Sequence, residues 1–150
     1  MSYKFYGCEA AREVHAVNDE YKKIKTPLDL YDALLKIWCE YSCAPRMRNN
    51  WSEDDITIGQ CSITAFLAQD IFGGKVFGII RPSGDVHCYN DVDEKVFDLT
   101  SEQFHGEELV YRNNHEQFRE KHFEAKPEKK ERYEYLKTEL LKMKKRIDLL

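Results

Sequence analysis

Residues 59–74 read Gly59-Gln60-Cys61-Ser62-Ile63-Thr64-Ala65-Phe66-Leu67-Ala68-Gln69-Asp70-Ile71-Phe72-Gly73-Gly74. From Cys61 to Phe72 almost every position is apolar or small, so no face is polar enough to meet water. The pattern predicts a buried central helix. Gly73-Gly74 supplies its stop, because glycine takes the left-handed conformation that ends a helix. The stretch before it, residues 44–58, contains Pro45, Asn49, Asn50, Asp54 and Asp55, which is loop chemistry.

After the helix the apolar period shifts to that of strands. Lys75 to Arg81, Val86 to Asn90 and Lys95 to Leu99 are short β-type runs. Turns at Pro82-Ser83-Gly84-Asp85 and Asp91-Val92-Asp93-Glu94 join them into an antiparallel meander. Thr100-Ser101-Glu102-Gln103 has the form of a capping box. Upstream, Thr26 as cap, Pro27 at the first helical position and Asp29 at the positive end open a helix. That helix is expected to run through Leu30, Leu34, Ile37 and Trp38 to about Tyr41, and a shorter one to cover Glu9 to Val17. The tail, about 114–148, is expected to be helical in two pieces. One is Asn114 to Phe123. The other is Glu128 to Ile147, with Tyr133, Leu136, Leu140, Met143 and Ile147 on one stripe. This tail would dock on the core or join two copies in a homodimer.

The chain has 150 residues, 42% hydrophobic and 33% charged, which suits a single globular domain over 1–150. Its net charge of −4 argues against general binding of nucleic acid, which needs a basic surface. No apolar run approaches the roughly 20 residues of a membrane span. Met1-Ser2-Tyr3-Lys4-Phe5 lacks the apolar core of a secretory signal. The 5 cysteines are odd in number and have no Cys-x-x-Cys spacing, so they are expected to be reduced thiols in the cytoplasm.

Chemistry gathers on Cys61, His87 and Asp98. A helix N-terminus offers free N–H groups and partial positive charge, which favour a thiolate at Cys61 and could hold an oxyanion beside it. His87 lies on a strand and can serve as general base and then acid. Asp98 lies on the next strand. A turn centred at Val92-Asp93 would set it opposite His87, where a carboxylate fixes the imidazole tautomer. The blander reading of a cysteine in a buried helix is a small core residue, and it is assigned to Cys8, Cys39, Cys43 and Cys88. His87-Cys88 with Cys61 or His105 could supply metal ligands, but the paired close spacings of zinc sites are missing. No metal and no cofactor are expected, and no phosphate loop or dinucleotide fingerprint is present.

Gly59-Gln60-Cys61-Ser62-Ile63-Thr64-Ala65, followed by a His strand and an Asp strand ending in Asp98-Leu99-Thr100, resembles the transglutaminase-like core. Its order of residues is shared by papain-like enzymes. The resemblance implies an α+β, papain-like fold: a central helix carrying the cysteine, packed on a small antiparallel sheet and flanked by N- and C-terminal helices. Trp51, GQCSITAFLAQDIFGGKV, His87-Cys88-Tyr89-Asn90, Asp98 to Phe104 and Glu131-Arg132-Tyr133 together are similar to the uncharacterised YunG-like bacterial family. Two departures stand out. Ser62 follows the cysteine where transglutaminases usually carry Trp, and Gln60 is adjacent to it where papain-like proteases place a Gln several residues earlier. Gln60, Trp51 and Asn90 are candidate substrate-binding residues. The expected function is that of a thiol-dependent hydrolase or acyltransferase acting on an amide or ester of a small molecule or peptide. The alternative is a non-catalytic binding or interaction protein that keeps a papain-like core.

Overall fold

The computed structural model describes residues 2–21 and 23–149, with side chains in the last helix described as far as Met143. Its architecture is α+β. Helices α1 (Cys8–Ala11) and α2 (Pro27–Leu34) precede a 3-10 turn over Pro45–Asn50 and the central helix α3 (Cys61–Phe72). Strands β1 (Lys75–Ile80), β2 (Val86–Val92) and β3 (Lys95–Phe97) follow, then a 3-10 turn over Ser101–Phe104, strand β4 (His115–Gln117), and helices α4 (Arg119–Ala125) and α5 (Pro127–Leu149). The sheet is antiparallel with the order β3-β2-β1-β4.

Helix α3 starts and ends where the sequence places it. Ile63, Phe66, Leu67, Ala68 and Ile71 are fully buried. It packs on β2 on one side and on α5 on the other, which is why no face could be polar. Leu30, Leu34, Trp38 and Leu136 complete the core around it. The Trp38 indole donates to Thr64 Oγ1 at 3.0 Å, so a polar residue in the helix is satisfied without solvent. At the far end Arg119 donates to Phe66 O and Gln69 Oε1, both at 3.0 Å, and pairs with Asp70 at 2.8 Å. Stripe residues Tyr133, Leu136 and Leu140 of α5 are buried against the core, while the Ile147 side chain lies outside the described residues.

Five expectations need correction. Helix α2 ends at Leu34; beyond it the backbone continues as single turns, Ile37 N to Leu34 O and Trp38 N to Leu34 O, and does not reach Tyr41 as a helix. The first helix is confined to Cys8–Ala11. The segment read as helical from Asn114 begins as β4, which pairs with Val76, Phe77 and Gly78 of β1. A three-residue edge strand of polar residues carries no alternation that could be read. The turn between β2 and β3 is centred at Asp93-Glu94, one residue later than expected. Both residues take positive φ, 50° and 70°, as a two-residue hairpin requires, and Val92 remains in the strand, paired with Lys95. Last, Thr100 stands at the start of the expected helical turn, Ser101–Phe104, but makes no capping box. Its N–H and hydroxyl turn back onto Asp98, and Glu102 instead accepts a hydrogen bond from Tyr31.

Candidate functional site

Cys61 begins α3 at the end of a tightly specified loop. Gly59 has φ +72°, and a Cβ there would come within 2.5 Å of Cys43 Sγ and 2.8 Å of Ala44 N. Its carbonyl accepts from Ala44 N at 2.9 Å. Only glycine fits this close approach, so the register of the helix start is fixed from both sides.

His87 and Asp98 meet as diagonal, not direct, neighbours. With the hairpin centred one residue later, the ladder pairs Asn90 with Phe97 and ends there. His87 still reaches Asp98: Nε2 lies 2.6 Å from Oδ2, with side chains only 3% and 1% exposed. Three more donors converge on the carboxylate. Tyr111 OH donates to Oδ2 at 2.8 Å, and Thr100 N and Oγ1 donate to Oδ1 at 3.1 and 3.3 Å. Tyr111 comes from a loop that no local pattern singles out. Burial and the adjacent carboxylate push its phenol well up, so it remains a donor. The Phe104 ring stands edge-on to the imidazole, with centroids 4.6 Å apart, and closes the remaining side.

With Nε2 committed to Asp98, Nδ1 is the nitrogen left for Cys61. The Cys61 sulfur interacts with three donors: the Cys88 thiol first, then the His87 ring, then the Cys88 backbone N–H. Against the cost of burial these, with the His87 charge, hold the Cys61 thiol well below its ordinary range. Cys88 is driven the opposite way by its hydrogen bond to Cys61 and by burial, so it remains the thiol that donates. Burial alone would lower His87, but the charge and hydrogen bond of Asp98 and the contact with Cys61 outweigh it and raise the imidazole to about 10. The two shifts, the thiol down and the imidazole up, favour a thiolate–imidazolium pair. A further contact of Cys61 Sγ, to Val86 O, is long at 3.9 Å. Cys88, assigned to the core by its sequence, is buried as expected but forms part of this site.

Cys61, Ser62 and Val86 line a cleft of about 380 Å³, whose opposite wall comes from α4 and the start of α5. A larger hollow of about 800 Å³, between Tyr6, His105 and Tyr111, includes neither Cys61 nor His87.

Gln60, Trp51 and Asn90 lie close by in sequence or strand but are not among the residues lining the cleft. Gln60 is fully buried and donates through Nε2 to Cys39 O at 3.1 Å, while its Oε1 has no partner among the described residues. Trp51 donates to Ile56 O at 2.9 Å. Asn90 lies within β2, not at its end, and donates to Ala65 O at 2.9 Å, tying the sheet to α3. His105 turns to Asp55 at 3.0 Å.

The profile of the YunG protein family matches residues 26–145, which span α2, the Cys61 helix, the sheet and most of α5. The chain belongs to the YunG family. It is similar to a Bacillus subtilis (strain 168) protein described as "Uncharacterized protein YunG", with 38% identity over 71 residues. Those residues are 47% of this chain and 56% of that protein, so the match spans little more than half of the relative's length. No solved structure matches this YunG-family chain significantly. No helix among its described residues is long and apolar enough to cross a membrane.

Proposed function

We propose that this YunG-family protein is a thiol-dependent hydrolase or acyltransferase with a papain-like core, acting in the reducing cytoplasm on an amide or ester. The observation that carries the proposal is the buried relay from Asp98 through His87 to Cys61, whose far end opens on a cleft.

The chemistry follows from the resting charges. The Cys61 thiolate attacks the carbonyl carbon, forming a C–S bond while an electron pair moves onto oxygen. The first N–H groups of α3, at whose start Cys61 stands, are the donors available to that oxyanion. As the intermediate collapses, the C–N or C–O bond breaks and the His87 proton passes to the leaving group. A thioester remains. Neutral His87 then takes a proton from water or an amine acceptor, which attacks the thioester and releases Cys61 as thiolate, with His87 again protonated. Asp98 keeps Nε2–H engaged throughout, so the same ring nitrogen handles both transfers.

A panel of p-nitrophenyl esters and peptide amides, followed by intact-mass spectrometry, tests this. The expected result is an acyl adduct localised to Cys61 together with released p-nitrophenol, both abolished in Cys61→Ala and slowed in His87→Ala. Equal turnover by wild type and Cys61→Ala would defeat the proposal.

A further inference from the structure

The wall facing Cys61 has a charge opposite to that of the whole chain. Net charge is −4, yet the cleft is lined by Arg46, Lys121, Lys126, Lys129 and Arg132, with Asp85 as its one carboxylate among the described residues. Two of these cations already have a carboxylate partner. Arg46 pairs with Asp85 at 3.2 Å, and Arg132 pairs with Glu128 at 2.7 Å. Lys121, Lys126 and Lys129 have no carboxylate partner among the described residues.

Lys129 is the most informative. It is half-buried, and its Nζ lies 2.8 Å from His122 Nδ1. The other nitrogen of that ring, Nε2, lies 2.8 Å from Gln117 Oε1, an acceptor, so Nε2 carries the proton and Nδ1 accepts from Lys129. Burial and the neighbouring lysines lower His122 to about 4, which keeps it neutral. A desolvated ammonium is thus held by a neutral partner, which spares its charge for another occupant. Its charge reaches both the Cys61 and Cys88 sulfurs. Arg132 adds a built donor. It is 3% exposed, with Nε on Glu128 and Nη1 on Ser42 O at 2.9 Å. Its Nη2 has no hydrogen-bond partner among the described residues, although Arg132 is part of the cleft wall.

Resting on the proposed thiol chemistry, we infer that the Cys61 cleft takes acyl substrates bearing an anionic group, a carboxylate or a phosphate, held by Lys129 and Arg132 with Lys126 at the rim. The anion lies on the α5 side of the cleft and the scissile carbonyl on the α3 side. Neutral acyl donors of the same size are poor substrates, because they leave this cationic wall without a counter-charge.

Two alkylating agents of nearly equal size but different charge test the inference. The Cys61 labelling rate by iodoacetate divided by that by iodoacetamide reads the anion preference and cancels most effects on sulfur reactivity. Removing one cation should lower this ratio about fivefold in Lys129→Met, and about twofold in Lys126→Met, whose side chain is exposed and whose folding is not at risk. An unchanged ratio in both variants overturns the inference. Inorganic phosphate and acetate, added separately, distinguish the two anion sources: each should slow labelling saturably if its chemistry is the one recognised, and no slowing by either overturns the inference. Calorimetric binding of the same two anions, weakened in Lys129→Met, does not depend on the thiol. It would therefore survive a failure of the Cys61 chemistry, whereas a normal iodoacetamide rate without anion preference would leave the thiol chemistry standing alone.

Discussion

On one side of His87 four donors converge on Asp98 within 2.6 to 3.3 Å, and Tyr111, Thr100 and Phe104 close the space. On the other side Cys61 faces a cleft, and its contact with Val86 O is 3.9 Å. The contrast shows how one ring can be both fixed and free to react. The Asp98 side sets tautomer and orientation, while the Cys61 side leaves a sulfur that must still move onto a carbonyl carbon. Rigid support belongs behind the reacting atoms and adaptability in front of them.

The largest effect should come from breaking the closed side. Asp98→Ala leaves an imidazolium, a phenol and the Thr100 N–H without their buried acceptor, and should cost about 3–5 kcal/mol. Cys61→Ala, on the open side, should cost clearly less. Urea denaturation of the two variants compares the sides directly, and equal losses would erase the contrast.

The second test uses pH. His87 is raised from 6.5 to about 10 on folding, so its stabilisation is complete below 6.5 and is lost as pH rises towards 10. Cys61 is held below 9.0, so its stabilisation is complete above that value and is lost as pH falls through the folded value. Between 6.5 and 9.0 the two slopes oppose one another. Cys61→Ala should therefore lose stability as pH rises across this window, by at most about 1.4 kcal/mol per pH unit, and His87→Ala should gain it. Denaturation at four or five pH values decides; slopes of the same sign would mean that the pair does not share a proton in this way.

A smaller effect is expected at the edge of the closed side. Tyr111→Phe removes one of the donors to Asp98 and keeps the ring that stacks on Tyr6 at 3.8 Å. It should cost about 1–2 kcal/mol, measured by thermal denaturation. No loss would show that the phenol contributes nothing to holding the carboxylate.

The parts of this site that were legible in the sequence are the parts that local pattern controls. The run from Cys61 to Gly74 is apolar on every face and ends in glycine, and the three strands that follow alternate between short turns. His87 and Asp98 could be selected from that order. Their exact pairing could not, because Val92 continues the strand and the positive φ of Asp93 and Glu94 is not announced by glycine or asparagine. Tyr111, Lys129 and Arg132 were illegible as site residues for a different reason. Each looks ordinary in its own segment, and only the docking of distant elements brings it to Cys61 or Asp98. The β4 strand was missed because its residues suit a helix better than a strand, and pairing with β1 overrides that preference.

The central claim is that Cys61 is held as a thiolate, by the Cys88 thiol first and by His87 with it. Its most direct test is the rate of iodoacetamide labelling at each of the five cysteines between about pH 5 and 9, read by mass spectrometry of digested peptides, for wild type and His87→Ala. At about pH 6, where ordinary thiols are almost wholly protonated, wild-type Cys61 should label well ahead of Cys8 and Cys39. His87→Ala should reduce that lead, leaving the part that the Cys88 thiol supports, without changing the other sites. Cys61 labelling no faster than Cys8 or Cys39 at that pH, with His87→Ala making no difference, would contradict the thiolate and favour a binding protein that keeps the same core.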